Sequence, residues 1–162
     1  MVFEKYKLIE FLLRARMHGY AGDAPKIKNP QRPGFVEFAP YKEGDLEYVD
    51  SYAGYYLAPG QEVIRFKGKP IWNMSYNGGM KIEFHGDHDF THKVFEFLGK
   101  ALQKVSPERP FRGPDKIKDG DFMYIDKSEG DIAQFKGTEI IFFKGKEVFR
   151  QDYMGGFIVW KE

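Results

Sequence analysis

Residues 43–57 read EGDLEYVDSYAGYYL and residues 60–79 read GQEVIRFKGKPIWNMSYNGG, and a variant of each stretch occurs again further along the chain. The later copies are DGDFMYIDKSEGDIA at 119–133 and GTEIIFFKGKEVFRQDYMGG at 137–156. Five of 15 aligned positions are identical in the first pair and ten of 20 in the second. Unrelated segments of this combined length would share about two, so the pattern predicts an internal duplication, with repeats over residues 3–84 and 89–160.

A helix is predicted at the start of each repeat. Apolar residues at helical spacing predict the first helix over Phe3–His18, with Gly19 just past its end. Asp87 or Asp89 is placed to cap a second helix over Phe90–Val105. The predicted buried faces are Tyr6, Leu8, Ile9, Leu12, Leu13, Arg16 and Met17 in the first helix, and Val94, Phe95, Leu98, Ala101, Leu102 and Val105 in the second.

Antiparallel strands are predicted after each helix. Large apolar residues and an acid recur at every second position of residues 46–52, as in a strand with one buried face. The motif FKGK at 66–69 and 143–146 predicts a hairpin turn in each repeat, because Gly68 and Gly145 adopt a positive φ at low cost. The Gly78-Gly79 pair is predicted to end one hairpin, and Met80–Phe84 to form a fourth strand.

These elements predict an α+β fold of about eight antiparallel strands and two helices. One repeat alone would bury too little apolar surface to be stable, so a single domain over residues 1–162 is expected. The helices are expected to cover a curved sheet, and the two halves to form either one continuous sheet or two facing sheets.

The composition narrows the functional classes. The 162 residues carry a net charge of +1, whereas proteins that bind nucleic acid or an anionic membrane usually have a clear basic excess. No apolar stretch approaches the length of a membrane span, and the charged N-terminal sequence does not resemble a signal peptide. The absence of cysteine excludes disulfides, thiolate metal sites and cysteine nucleophiles. We therefore expect a cytoplasmic protein without nucleic-acid or membrane partners, and the many Lys and Glu residues suit a thermophile.

Acidic residues that both repeats share are candidates for function. Asp50 and Asp126 are predicted on the same strand face as aromatic residues, where an acid requires a partner. Arg32, Arg109 and Arg112 are the available partners. The alternative for each aspartate is a structural role, in which its side chain bonds nearby backbone.

The shared glutamates, Glu62 and Glu139, begin the second predicted strand of each repeat, where the alternative is an exposed strand end. If these acids and their aromatic neighbours face a space between the halves, they would form the mostly apolar lining that is typical of a small-molecule pocket. Two facing carboxylates would also suit acid/base hydrolysis, as in glycosidases. The predicted ligand-binding residues are Tyr48, Asp50, Tyr52, Glu62, Trp72, Tyr76, Arg112, Tyr124, Asp126, Glu139 and Tyr153.

Three of the four histidines lie in the segment HGDHDFTH at 85–92. His88 and His92 would share one face of a helix that begins early, and with His85 and Asp87 they are candidates for binding a divalent metal. The segment suits a solvated helix entry equally well and has no counterpart in the other repeat, so we expect no metal site here.

Several motifs give the chain a family resemblance. They are YAG at 20–22, RPG at 32–34, EGDLEYVDSYAG at 43–54, GQEVIRFKGKPIWNMSYNG at 60–78, PFRGP at 110–114 and DYMGGFI at 152–158. With them the chain resembles an uncharacterised domain family of bacteria and archaea that often follows a helix-turn-helix segment in Xre-like transcriptional regulators. The resemblance implies a sensor-like domain and carries no established activity. Because this chain starts with the domain helix, DNA binding is not implied. A looser similarity, at the level of the fold only, is to GyrI-like domains, whose two halves enclose a pocket.

The sequence contains no phosphate-binding glycine loop, no dinucleotide fingerprint and no nucleophile elbow. We therefore predict non-catalytic binding of a small, partly apolar ligand between the two repeats, without a cofactor, in a monomer or a homodimer. The alternatives are a hydrolase that uses paired carboxylates and a structural or interaction protein without a pocket.

Overall fold

The chain folds as an α+β protein. The structure is a computed structural model that describes residues 4–22 and 24–161. In those residues, two helices and nine strands follow one another, with short 3₁₀ turns at Tyr20–Gly22 and Ile82–Phe84. The elements are α1 Lys5–His18, β1 Val36–Glu37, β2 Tyr41–Glu43, β3 Leu46–Tyr52, β4 Gly60–Phe66, β5 Lys69–Met80, α2 His88–Leu102, β6 Lys116–Asp119, β7 Phe122–Asp131, β8 Gln134–Phe143 and β9 Lys146–Phe157.

All nine strands belong to one antiparallel sheet, in the order β1-β3-β4-β5-β9-β8-β7-β6, with β2 also paired to β3. The two halves of the chain therefore meet in a continuous sheet, through β5 and β9, from the pair Trp72 and Phe157 to the pair Met80 and Phe149. The prediction of about eight strands is corrected to nine. The short strands β1, β2 and β6 have no period-two pattern long enough to be recognised in the sequence.

Helix α1 is confirmed from Lys5 onward, and Phe3 lies outside the described residues. Its buried face is centred on Phe11 rather than on the predicted stripe. Tyr6 and Met17, which were predicted to be buried, are 59% and 38% exposed. The face that packs follows the i, i+3, i+4, i+7 spacing of a surface helix and consists of Leu8, Phe11, Leu12 and Ala15.

Helix α2 begins at the predicted cap. The Asp87 carboxylate accepts a hydrogen bond from the Phe90 amide at 3.0 Å, which satisfies one of the free N–H groups of the first turn. The helix ends at Leu102, three residues before the predicted end, and Val105 lies beyond it. Its buried residues are Thr91, Val94, Phe97, Leu98, Ala101 and Leu102.

The two predicted hairpin turns are confirmed. At Lys67-Gly68 and at Lys144-Gly145 both central residues have positive φ, between 49° and 80°, which is the conformation of a type I′ turn. The predicted strand Met80–Phe84 is wrong, because β5 runs through the two glycines as far as Met80. Another backbone segment passes closely there: a Cβ at Gly79 would lie 2.0 Å from the Tyr56 carbonyl oxygen.

Both helices cover the same face of the sheet. The first core packs α1 against inward-facing residues of β3, β4 and β5, such as Tyr48, Ile64 and Trp72. The second packs α2 against Tyr124 on β7 and Phe149 on β9. The region where the two cores meet, above the middle of the sheet, holds most of the buried charged side chains.

Candidate functional site

Four buried charges interact above the middle of the sheet. Arg112, in the segment before β6, donates from Nε to Glu139 Oε1 at 3.0 Å and from Nη1 to Glu62 Oε1 at 3.4 Å. Arg16 of α1 donates from Nε to Glu62 Oε2 at 2.9 Å. All four side chains are at least nine-tenths buried. We call Arg16, Glu62, Arg112 and Glu139 the buried charge cluster, in which two positive charges match two negative ones.

Glu139 is held from three directions inside this cluster. Besides Arg112, it accepts a hydrogen bond from the Tyr124 hydroxyl at 2.8 Å and from the Gln151 amide at 2.7 Å. Tyr124 lies on β7, Gln151 on β9 and Arg112 in the segment before β6. Since β7 and β9 both pair with β8, their inward-facing side chains lie beside Glu139. Both oxygens of the carboxylate are therefore used, and Glu139 serves to fix the centre of the fold.

Asp50 and Asp126 occupy aligned positions but have different partners. Each accepts a hydrogen bond at 2.8 Å from a tyrosine hydroxyl, that of Tyr76 for Asp50 and that of Tyr153 for Asp126. Arg109 Nη2 lies 3.0 Å from Asp126 Oδ2, in an ion pair without hydrogen-bond geometry. Among the described residues, no Lys, Arg or His side chain forms a corresponding ion pair with Asp50.

Arg32 stands at the position aligned with Arg109 and makes different contacts. Its guanidinium donates to the Ser51 hydroxyl and lies 4.6 Å from the centre of the Phe35 ring, whereas Arg109 donates to the Ser128 hydroxyl at 2.8 Å. Ser51 follows Asp50 on β3, so the two side chains point to opposite faces of the sheet. Among the described residues, Asp50 in the first half of the chain therefore lacks the cationic partner that Asp126 in the second half has in Arg109.

Burial sets the proton affinity of both aspartates. Desolvation, followed by repulsion from Glu62, raises the pKa of Asp50 from its ordinary value of 3.8 to about 7. Desolvation also raises the pKa of Asp126 to about 6, against the opposing effects of the Tyr153 hydrogen bond and the Arg109 charge. Asp50 therefore exchanges a proton near neutral pH.

A cavity of about 140 Å³ lies beside Asp50, between the sheet and α2. It is lined by inward-facing residues of β3, β4, β5 and β9, by the 3₁₀ turn that follows α1, by Gly54, Tyr55 and Ala58, and by one side of α2. The volume is close to the roughly 150 Å³ of an apolar protein cavity that binds benzene. Aromatic and aliphatic groups dominate the lining, and a few polar groups converge on one end. We refer to this space as the Asp50 cavity.

The Asp50 cavity separates the predicted ligand-binding residues into two sets. Tyr48, Asp50, Tyr52, Glu62, Tyr76 and Arg112 line it. The others lie outside the cavity and make contacts elsewhere. Trp72 donates its indole N–H to the Ile132 carbonyl at 3.0 Å, for example. The set outside the cavity is Trp72, Tyr124, Asp126, Glu139 and Tyr153.

Several lining residues have no counterpart among the positions that the repeats share. Arg16 was predicted on the apolar stripe of α1, and a charged residue in such a stripe is itself a sign of a buried partner. Gln151 interrupts the inward-facing aromatic series of β9 in the same way. Tyr20 and Tyr55 come from segments where no pattern in the sequence points toward the sheet, whereas the α2 residues of the lining belong to the apolar face that was predicted for that helix. The α2 residues are Phe95, Leu98 and Leu102.

The three histidines of residues 85–92 make separate contacts. His85 contacts the Met80 carbonyl at 3.1 Å and stacks on Tyr56, while His92 lies 3.5 Å from Glu96 on the exposed side of α2. His88 lies against the Tyr56 hydroxyl. Within residues 4–22 and 24–161, no three His, Cys, Asp or Glu side chains are placed to hold a metal ion.

The raised pKa of Asp50 predicts how stability depends on pH. The folded state binds the Asp50 proton more tightly than the unfolded state, so this stabilising contribution is complete below about pH 4 and is lost as the pH rises to about 7. We expect the unfolding free energy to fall by on the order of 4 kcal/mol over this range, since one pKa unit corresponds to about 1.4 kcal/mol. In Asp50→Asn the decline between about pH 6 and pH 7 should disappear, as measured by urea denaturation.

Asp126→Asn is the matched control, because the titration of Asp126 is centred lower, at about pH 6. This variant should keep the decline between about pH 6 and pH 7. An unchanged decline in Asp50→Asn would show that another group is responsible.

Comparison with known proteins gives a family without an activity. The model of a domain of unknown function, DUF5680, matches residues 50–158, which is more than half of the chain. No curated protein matches the chain, and no solved structure does. The matched part begins at Asp50 and includes Arg112 and Gln151, but not α1 with Arg16. Neither α1 nor α2, nor any other helix in the described part of the chain, is long and apolar enough to cross a membrane.

Proposed function

Since the chain belongs to the DUF5680 family, whose description assigns no activity, we propose a function from the geometry of the site: it binds a small, partly apolar ligand in the Asp50 cavity. The observation that carries the proposal is the combination of an aromatic lining with a few buried polar groups at one end. Binding pockets for small molecules have this composition, in which apolar groups supply contact area and polar groups fix orientation.

The rigidity of the polar end supports this proposal. Arg112 and Glu62 are fixed by the buried charge cluster, and Tyr76 is fixed by its bond to Asp50. A ligand would therefore meet polar groups whose positions are already determined, which lowers the entropic cost of binding. An unfilled cavity lowers the stability of a protein, because the residues around it lose packing contacts.

Filling the Asp50 cavity should abolish binding. Ala58 lines the cavity from a partly exposed loop, so Ala58→Phe can place its ring in the space without disturbing either core. We expect a fragment screen by ¹H–¹⁵N NMR of the whole chain to give ligands whose shift changes centre on cavity residues. These changes should be lost in Ala58→Phe.

Leu57→Phe provides the control, because Leu57 is adjacent, exposed and outside the cavity. It should bind the same fragments as the wild type. Shift changes that persist in Ala58→Phe, or that map to other parts of the chain, would contradict the proposal.

A hydrolase is the second candidate, favoured by one observation. Asp50 and Glu62 are register partners on β3 and β4 and line the same cavity, and two carboxylates with different environments are the usual arrangement for acid/base catalysis. Glu62 accepts hydrogen bonds on both oxygens from Arg16 and Arg112, which disfavours a role as base or nucleophile. Turnover of 4-nitrophenyl glycosides that is lost in Asp50→Asn would favour the hydrolase over simple binding.

We also infer that the chain is a duplicated unit forming a single domain over residues 1–162. Aligned residues make equivalent contacts, as in the Tyr76–Asp50 and Tyr153–Asp126 hydrogen bonds, and Asp50 pairs with Glu62 in the same register as Asp126 with Glu139. Equal losses of stability on substitution of Gly60 and Gly137 are expected on this basis. In regulators that carry such a unit beside a helix-turn-helix segment, the cavity would serve as the sensor.

A further inference from the structure

We propose that the ligand of the Asp50 cavity carries a cationic nitrogen, an amine or a guanidinium, that pairs with the Asp50 carboxylate. The inference rests on the proposed function and adds the chemical class of the ligand. It follows from the contacts of Asp50, from the comparison of the two halves and from the balance of buried charges.

Asp50 has capacity left for a ligand. The side chain is 5% exposed, lines the cavity, and accepts one hydrogen bond, from the Tyr76 hydroxyl to Oδ1. Within the described part of the chain, no hydrogen bond reaches its second oxygen, Oδ2. Tyr48 and Tyr52 also line the cavity, and their hydroxyls form no hydrogen bond with any described residue. A carboxylate with a free acceptor and two tyrosines with unpaired hydroxyls thus line the same cavity.

The second half of the chain shows which group suits such a carboxylate. There, the guanidinium of Arg109 lies 3.0 Å from the Oδ2 atom of Asp126, and it also donates to the Asp126 carbonyl at 2.7 Å. In the first half the aligned Arg32 is bonded to Ser51, on the other face of the sheet. The place of the cation next to Asp50 is therefore not filled by the chain itself, and a cationic ligand would restore the arrangement of the other half.

The charge balance around Asp50 leads to the same ligand class. The charged groups around it are Glu62 from β4, Arg16 from α1 and Arg112 from the segment before β6. The titratable neutral groups are the tyrosines Tyr20, Tyr48 and Tyr76. The two arginines are already matched by Glu62 and Glu139 within the buried charge cluster. An ionised Asp50 is therefore one negative charge in excess, and burying a monocation beside it makes the site neutral.

The surroundings suit an organic cation with an aromatic body. Rings of Tyr20, Tyr52, Tyr55 and Phe95 line the cavity, and aromatic faces attract cations while their edges pack on apolar groups. One face of Tyr76 is already taken, since the Arg112 guanidinium lies 5.1 Å from its centre. A benzene-sized body with one charged nitrogen fits the cavity volume of about 140 Å³.

Benzylamine and its neutral analogue benzyl alcohol are the probes that test this inference, by ¹H–¹⁵N NMR titration of the whole chain at pH 8. We expect the wild type to bind benzylamine more tightly than benzyl alcohol by about tenfold or more, the effect of one hydrogen bond to a charged group. Asp50→Asn should lose this preference by weakening benzylamine alone. The matched variant Asp126→Asn should keep it, because Asp126 lies outside the cavity.

A second experiment measures the proton that Asp50 releases when a cation binds. At about pH 6 a cation should displace the proton of Asp50, so calorimetry in two buffers of different ionisation enthalpy should show release of close to one proton in the wild type. Asp50→Asn should release none.

The outcomes separate the inference from the proposed function. If benzyl alcohol binds in the cavity as tightly as benzylamine, the cavity binds a neutral ligand and the inference is overturned while the proposed function holds. If neither probe shifts cavity resonances, both are overturned. A preference for benzylamine that survives in Asp50→Asn overturns the assignment of the cation to Asp50.

Discussion

Replacement of Arg112 by leucine is expected to lower the free energy of unfolding by about 3–5 kcal/mol at pH 7, the cost of breaking a buried ion pair from one side. Arg112 is the cation that Glu62 and Glu139 share, and its side chain is 8% exposed. Without it, Glu139 would keep only the neutral donors Tyr124 and Gln151. Because folded proteins are stable by about 5–15 kcal/mol in total, such a loss is large, and urea denaturation measures it.

Arg14→Leu is the control, since the ion pair of Arg14 with Glu43 lies at the surface and contributes about 0–1 kcal/mol. The double variant Arg112→Leu/Glu139→Gln should recover part of the lost stability, because the unpaired buried charge is then absent. A loss in Arg112→Leu no larger than that in Arg14→Leu would show that the buried charge cluster does not stabilise the fold.

Replacement of Gly60 by alanine is expected to cost about 3 kcal/mol and to abolish ligand binding. A Cβ at this position would lie 2.3 Å from the Tyr76 ring and 2.6 Å from the Ser51 carbonyl oxygen. The backbone oxygen cannot move without disturbing β3, so the Tyr76 ring must shift, and with it the hydroxyl that donates to Asp50. Urea denaturation measures the first effect and benzylamine titration the second.

Gly137→Ala is the matched control in the other half of the chain. Its Cβ would lie 2.3 Å from the Tyr153 ring and 2.7 Å from the Lys127 carbonyl oxygen, so a similar loss of stability is expected. Tyr153 lies outside the Asp50 cavity, so ligand binding should remain. Loss of binding in both variants would mean that binding reports only on stability.

The elements that depend on local chemistry were predictable from the sequence. The FKGK turns require two residues with positive φ, and this requirement is visible in four letters of sequence. The Asp87 cap and the period-two pattern of β3 are similarly local. The end of β5 was not predictable in this way. Its two glycines lie within the strand where other backbone segments pass too close for any side chain, that of Arg150 at Gly78 and that of Tyr56 at Gly79. These contacts depend on the tertiary structure.

The candidate site was predictable only in part, for a related reason. The shared positions identify the buried acids and tyrosines, because both halves need them at the centre of the sheet. They do not reveal which half holds the cavity. That depends on whether Arg32 or Arg109 turns toward its aspartate, and both arginines lie in irregular segments without a repeating pattern. A difference between the two similar halves therefore marks the site better than their similarity does.

The position of the short strands has a consequence for how the protein behaves at high concentration. Outer strands β1, β2 and β6 have between two and four residues each, so an approaching chain finds little edge to extend. The remaining outer edge of β7 carries the charged residues Lys127, Glu129 and Asp131. The sheet places its long, hydrogen-bonded strands in the interior and its shortest ones at the rim. Fibril growth by edge-to-edge addition is disfavoured by the same order of strands that joins the two halves.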